Sequence, residues 1–484
     1  MAAVQLTGFA PDADPTMPGV IMDCEMTIPT VRGMKGAPAA VSTSLPALAA
    51  ECVGAAYMTL LDGSYRFFAG TQTKLYESAE TSWTDVSAGG GSYTGSAEGR
   101  WRFAQFGNTT YASNKIDDMQ SSASGAFAAV TGPKASIVEV VAGFVFAADT
   151  DDATFGDQSD RWWCSAFNDG SDWVPSTTTQ STTGRLIDTP GAITALRRLG
   201  SDVIAYKKKG VWIGRYVGSP TVWEFTQISS EIGAPSQEAV VLVDSVHYFI
   251  GDNNIYRFDG SQPVPVADDI KTWFFTDLNS KYKYRVTGSH DRKNNLVYFY
   301  YPSTGSTNGD IDSAIVYNYV SGKWGRANRE IEAVVDYLSG SVTYDNFGDY
   351  FSTYADIPSI AYDSDFWNEG SPVASVVDST HTVKTLTGVS STSSITTGDM
   401  GDDYQFSLLQ QARVRYAQAP TSATMTNYYR NVEGDDLTTD ATTTMTDGRF
   451  DVLREARWHR LKFNFTGDVE SMAINIAATP SGLY

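Results

Sequence analysis

The sequence predicts an all-β protein: a β-propeller of six to eight blades, seven preferred, followed by a C-terminal antiparallel β-sandwich-like domain. Three observations predict it. A short apolar strand runs into a Gly/Asn/Asp turn, then a second strand, then a Trp or Tyr. The unit returns at irregular intervals of roughly 40–50 residues, the length of a four-stranded blade. Near residue 389 the texture changes to longer, more strictly alternating strands.

The first clear copy is LDGSYRFFAGTQTKLYESAETSWTDVS, from Leu61 to Ser87. Relatives begin at Arg100 (RWRFAQFGNTTYASN), Asp202 (DVIAYKKKGVWIGRYVGSPTVWEF), Val246 (VHYFIGDNNIYRFDGSQPVPV) and Asn294 (NNLVYFYYPSTGSTNGDIDSAIVYNYVSGKW). Such a unit cannot bury its own faces, so copies must stack radially into a closed disc. Expected strands are Tyr65–Ala69, Arg102–Phe106, Gly143–Ala147, Val203–Lys207, Val211–Tyr216, Val246–Ile250, Ile255–Phe258, Leu296–Tyr301 and Ala314–Tyr319. Asn253-Asn254, Lys209-Gly210 and Ser321-Gly322 carry hairpin-turn chemistry. Trp83, Trp101, Trp173, Trp212, Trp223 and Trp324 recur near strand ends and read as wedges between blades.

Residues 1–54 read as an extended arm that packs on the propeller or a neighbour. Pro11, Pro15, Pro18, Pro29, Pro38 and Pro46 interrupt any helix there. The propeller spans 55–388. Helical periodicity is confined to two short candidates, Ser44–Cys52 and Asp268–Asn279. Beyond the Ser/Thr-rich VSSTSSITTG, residues 389–484 supply five alternating strands, the pattern of a sandwich or small barrel.

The formal charge of −21 argues against a protein that grips nucleic acid by neutralising phosphates. It suits solubility, or a channel through which DNA slides without adhering. Cys24, Cys52 and Cys164 are sparse and without metal spacing, as in a reducing cytoplasm. The polar, Pro-rich N-terminus reads as no signal peptide, and no stretch approaches the ~18 apolar residues of a membrane helix.

Catalytic signatures are scarce. His247, His290, His381 and His459 have no ligand-spaced partners, and His459 in ARWHRLKF reads as a surface strand residue. No phosphate loop or nucleophile elbow occurs. Asp149, Asp151, Asp157 and Asp160 form an acidic cluster without EF-hand spacing, readable as a solvated or calcium-binding loop or as glycosidase carboxylates. The expectation is no enzyme, with no catalytic, cofactor or metal residues. One basic run stands out: Arg197, Arg198, Lys207, Lys208, Lys209 and Arg215. With Lys207–Lys209 at a hairpin tip, it is the candidate subunit or connector contact. The bland reading is a solvated tip whose charges blunt an edge. A second stretch, Arg454, Arg457, Arg460 and Lys462, is split between strand faces and makes no single stripe.

Several strings resemble the tail-nozzle, or packaged-DNA-stabilisation, proteins of short-tailed bacteriophages. They are MTIPTVRGMKGAP near Met26, the Leu61–Ser87 unit, DRWWCSAFNDGSDWVPS from Asp160, and EIGAPSQEAVVLVDSVHYFIGDNNIYRFDG from Glu231. YADIPSIAYDSDFW from Tyr354 and the C-terminal ARWHRLKFNFTGDVESMAINIAATPSG complete a collinear series over most of the chain. The resemblance implies a structural virion protein assembled in the host cytoplasm, self-associated into a ring, a hexamer, that extends the DNA channel. Its implied partners are portal and adaptor proteins above, tail fibre, spike or needle proteins around or below, and genomic DNA passing through without tight binding. It implies no cofactor. The rival expectation is a carbohydrate-binding or glycoside-hydrolysing propeller in a host-recognition part.

Overall fold

Seven runs of four antiparallel strands follow one another around a common axis in the computed structural model, which describes residues 4–79, 81–96, 98–338, 353, 372–432 and 434–483. Blades 1 to 5 are separate sheets formed in chain order by residues 54–85, 102–129, 134–185, 193–229 and 240–265. Blade 6 comprises Thr287–Asp291, Leu296–Tyr301, Ser313–Asn318 and Lys323–Arg326, and belongs to a larger sheet. Blade 7 takes three strands from Ile331–Leu338, Pro372–Asp378 and Val383–Gly388. Its fourth is Ala39–Ser42, from the N-terminal arm. The innermost strands touch in cyclic order, and the last, Ile331–Leu338, closes on Gly54–Thr59. The string from Tyr354 lies outside the described residues.

Every seam between blades is filled by a hydrophobic core, and all but the one between blades 5 and 6 are separate cores. Phe144, Phe146 and Trp162 of blade 3 meet Trp212 and Trp223 of blade 4. Trp101 fills the seam between blades 1 and 2, donating Nε1 to the Thr71 carbonyl at 2.9 Å. It presses on two glycines: a Cβ at Gly70 would lie 2.4 Å from its ring, and one at Gly54 2.1 Å from its carbonyl. Burying a side chain of this size contributes about 1.5–3 kcal/mol, so the aromatic wedges hold the disc together. Trp212 and Trp324 are 4 % and 1 % exposed. Trp83 is half-buried against Phe67 and donates to the Pro46 carbonyl.

The arm is woven in rather than laid on. Val20–Glu25 pairs with Thr392–Thr397 in a seven-stranded sheet that also holds Trp458–Thr466, Ser422–Arg430 and Thr438–Thr444. Thr27–Pro29 and Met34–Gly36 bridge from the outer strand of blade 6 to the C-terminal strand Glu470–Leu483. One ten-stranded sheet therefore runs from the propeller axis into the sandwich, ending on Gln405–Gln418 and Phe450–Ala456. The two sheets of the sandwich enclose Leu409, Val414 and Phe450 on one side and Met425, Leu461 and Phe463 on the other. That core is continuous with the seam between blades 5 and 6 through Trp324.

Of the two helix candidates, the second forms Lys271–Asp277, with the Asp12 carboxylate accepting from the Thr272 and Trp273 amides. The first is corrected. Residues 44–52 contain no helix, because their backbone is engaged by blade 7: the Leu48 amide donates to the His381 carbonyl and the Cys52 amide to Glu332.

Candidate functional site at the propeller axis

Inner strands of a propeller bring their first residues to the axis, so side chains far apart in sequence meet there. Arg102, opening blade 2, reaches across to Glu238, just before blade 5, in a two-pronged ion pair of 2.7 and 3.0 Å. Its remaining nitrogen donates to the carbonyl and hydroxyl of Ser136 in blade 3, both at 2.8 Å. Burial opposes ionisation of Glu238, but the Arg102 charge and its hydrogen bonds prevail and hold the carboxyl at about 2. Arg197 of blade 4 donates to the Gln237 carbonyl at 2.9 Å and lies 3.7 Å from Glu139 of blade 3. Blades 2 to 5 are thus cross-tied on the axis, beside a cavity of about 230 Å³.

Glu332, in the inner strand of blade 7, lines the same cavity. One oxygen accepts from the Cys52 amide at 2.8 Å and the other bonds His381 Nδ1 at 2.6 Å. Burial raises its carboxyl above the ordinary range, against both hydrogen bonds. A second cavity of about 490 Å³ adjoins, sharing Arg100 and Glu332 with the first. Its walls are the connectors entering blades 1, 2, 6 and 7 and the loop 305–312. Arg285 is fixed there by a two-pronged pair with Glu98, at 3.0 and 2.6 Å.

Apart from Arg197, the residues singled out in the sequence do not converge on this site. Of the basic run, Arg198, Lys208, Lys209 and Arg215 are exposed and Arg197 faces the axis. Lys207 is corrected: it is fully buried rather than at the tip. Its ammonium donates to the Leu186 and Thr189 carbonyls, and burial lowers its pKa. The turn is Lys208–Lys209, one residue earlier than Lys209-Gly210. The acidic cluster is divided. Asp149 and Asp157 share the Lys115 ammonium at 2.6 and 2.9 Å, while Asp160 pairs with Arg185. Among the described residues no group of His, Cys, Asp and Glu is arranged to hold a metal. His459 is also corrected. It is 3 % exposed, between Asn427 and the Ser407 carbonyl, because its strand lies inside the sandwich. Arg197 was singled out for its charge alone, and Arg102, Glu238 and Glu332 escaped sequence reading because nothing local links them. The available signal was a charge, Arg102 or Glu238, at the start of an otherwise apolar inner strand.

No protein-family model and no curated protein matches the chain. Solved structures of similar fold include YCF48 from Cyanidioschyzon merolae, at 12 % identity and TM-score 0.35, covering 63 % of this chain and 94 % of that one. The exo-β-1,3-galactanase of Phanerochaete chrysosporium, determined with galactose, has 10 % identity and TM-score 0.28, covering 90 % and 100 %. An ancestral GH74 enzyme has 14 % identity and TM-score 0.31, covering 76 % and 58 %. Likeness at this level carries no substrate or mechanism across. The expectation of no enzyme is corrected to one left open: glycoside hydrolases stand among these structures, and a fold by itself neither grants nor excludes an activity.

Proposed function

We propose that the chain is a structural subunit of the tail of a short-tailed bacteriophage, one copy of a closed ring beneath the portal and adaptor. The collinear resemblance motivates this reading. The observation that carries it is the ten-stranded sheet shared by blade 6 and the sandwich, which fixes the two parts as one rigid block. A ring needs head-to-tail contacts that close, and closure requires a subunit of fixed shape. Arg102 and Glu238 occupy the propeller axis, so in this reading DNA passes through the hole of the ring and not through a propeller. A formal charge of −21 keeps a phosphate backbone from adhering to such a wall. Electron microscopy of portal-containing particles tests it. The expected image is a ring of this protein below the connector. Particles that lack the protein yet complete their tails and retain DNA would refute it.

A second reading, a carbohydrate-active propeller, is favoured by one observation. The axial cavity holds a carboxylate lowered by its partner, Glu238, and one raised by burial, Glu332. Environments that push two carboxyls apart are those that divide acid and base roles. Glycoside turnover abolished by Glu332→Gln and kept by Asp157→Asn would support it; turnover indifferent to Glu332→Gln would remove it.

A further inference from the structure

The outer face of the sheet that joins propeller to sandwich gathers cations that the protein leaves without counter-ions. In Gln405–Gln418, Ala412 and Val414 point into the core beside Ile474. Arg413 and Arg415 alternate with them, so they point outward, and both are exposed. Asn475 stands opposite Arg413 and Ala473 opposite Arg415. Further along the same face Gln418 stands opposite Glu470, and Glu470 opposite Lys35. The turn 30–33 rests on this strand, since a Cβ at Gly33 would lie 2.1 Å from the Ser471 carbonyl oxygen, and it adds exposed Val31 and Arg32. The side chains of Arg32, Lys35, Arg413 and Arg415 have no ion-pair partner among the described residues. The carboxylates beside them in register are engaged. Glu470 accepts from the Thr30 hydroxyl at 3.0 Å, and Asp451, opposite Gln411, pairs with Arg449 at 3.3 Å.

Guarding a strand edge accounts for part of this. Pairing with Phe450–Ala456 stops at Ala412, so Arg413 and Arg415 stand where the strand is open on one side, and charges there discourage stray pairing. That role does not reach Lys35 and Arg32, which lie across Glu470–Leu483 from the open side. The chain as a whole carries 56 acidic against 35 basic residues. A face of uncompensated cations is therefore complementary in charge to the surface that another copy of the same chain mostly offers. A closed ring uses such a pairing of unlike faces, because its contacts are head-to-tail. We propose that this face, centred on Arg413 and Arg415, is a subunit contact that receives an acidic surface of a second copy. The proposal rests on the ring of the tail reading and adds to it the face on which the ring is built.

Analytical ultracentrifugation of the purified full chain, alone and with portal-containing particles, tests it. The parent is expected to self-associate, and less so as salt is raised. Arg413→Glu with Arg415→Glu should weaken that association at least about tenfold. The melting temperature should hold, because both side chains are exposed. Arg292→Glu with Lys293→Glu makes the same change of charge at an exposed turn of blade 6 and should leave association as it was. Rings that form equally well from the arginine variant would overturn this contact and leave the ring itself standing. Equal weakening by both variants would also overturn it, since net charge alone would then be at work. A parent that binds duplex DNA through Arg413 and Arg415, with association indifferent to them, would assign the face to nucleic acid instead. A parent that stays monomeric alone and on particles would remove both this contact and the ring.

Discussion

Blades 1 to 5 and the region from blade 6 to the sandwich bury their strands in opposite ways. Each of the first five blades is four strands consecutive in the chain, and each pairs only within itself. Blade 6 continues into strands from residues 27–36 and 405–483, and blade 7 borrows its outer strand from residues 39–42. Side chains reinforce these long-range joins. Arg326 of blade 6 contacts Asp23 at 3.0 Å, the Cys24 carbonyl at 3.2 Å and Glu25 at 3.6 Å, and lies over the Trp273 ring. Lys323 donates to the Leu6 carbonyl. In the sandwich, Asp399, 1 % exposed as a side chain, is clamped at 2.8 Å by both Arg430 and Arg460. Local pairing makes a blade that can be read in one stretch of sequence. Non-local pairing makes a junction that transmits force between parts, at the cost of closing long loops.

That comparison breaks most sharply at two tryptophans. Trp324→Ala empties a site 1 % exposed, where propeller and sandwich cores meet, and should cost about 3–5 kcal/mol. Trp212→Ala, at 4 % exposure in the seam between blades 3 and 4, should cost a similar amount. The difference expected is in cooperativity. Hydrogen exchange should rise in both sandwich and propeller for Trp324→Ala, and first in blades 3 and 4 for Trp212→Ala. Sandwich exchange unaffected by Trp324→Ala would show that the shared core does not couple the parts.

A pH effect sharpens the picture of the local seams. His247 of blade 5 is fully buried; its Nε2 donates to the Arg198 carbonyl and Nδ1 accepts from Tyr206 of blade 4. Burial lowers its pKa to about 4, whereas unfolding returns it to about 6.5. The folded state therefore favours the neutral ring. Its contribution is complete above about pH 6.5 and is lost as pH falls toward 4, on the order of 3 kcal/mol in all. His247→Gln keeps a donor and an acceptor without the titration. It should flatten that part of the stability–pH curve in urea melts; an unchanged slope would place the titrating group elsewhere.

The smallest effect on folding belongs to the hairpin tip. Lys208→Glu with Lys209→Glu changes exposed side chains only, so stability should move by less than about 0.5 kcal/mol. Attachment to connector particles should fall if the tip is the contact the tail reading assigns to it. Normal attachment would move that contact to another surface.

Strands whose ends carry turn chemistry were legible to the residue: Arg102–Phe106, Val246–Ile250, Ile255–Phe258 and Leu296–Tyr301. The strand expected at Gly143–Ala147 is longer in the structure, running from Phe144 to Asp152 through an irregularity at Ala148/Thr150 that breaks the alternation. Residues 44–52 misled because Leu45, Leu48 and Cys52 recur at helical spacing. The spacing instead seats an extended segment between blades 1 and 7. Lys207 misled because a lysine at a strand end ordinarily points to water, and only the carbonyls of Leu186 and Thr189 make its burial tolerable.

The sequence by itself determined the all-β class, the stacked four-strand rhythm, the aromatic wedges and the change of texture near residue 389. All of these depend on contacts within some tens of residues, where alternation and turn residues act. The tertiary structure alone decided which strand closes the ring, that the N-terminal segment joins propeller to sandwich, and that Arg102 meets Glu238 on the axis. Those pairings join positions hundreds of residues apart or on opposite sides of a disc. They are selected by the burial and charge balance of the whole assembly, which no local pattern encodes.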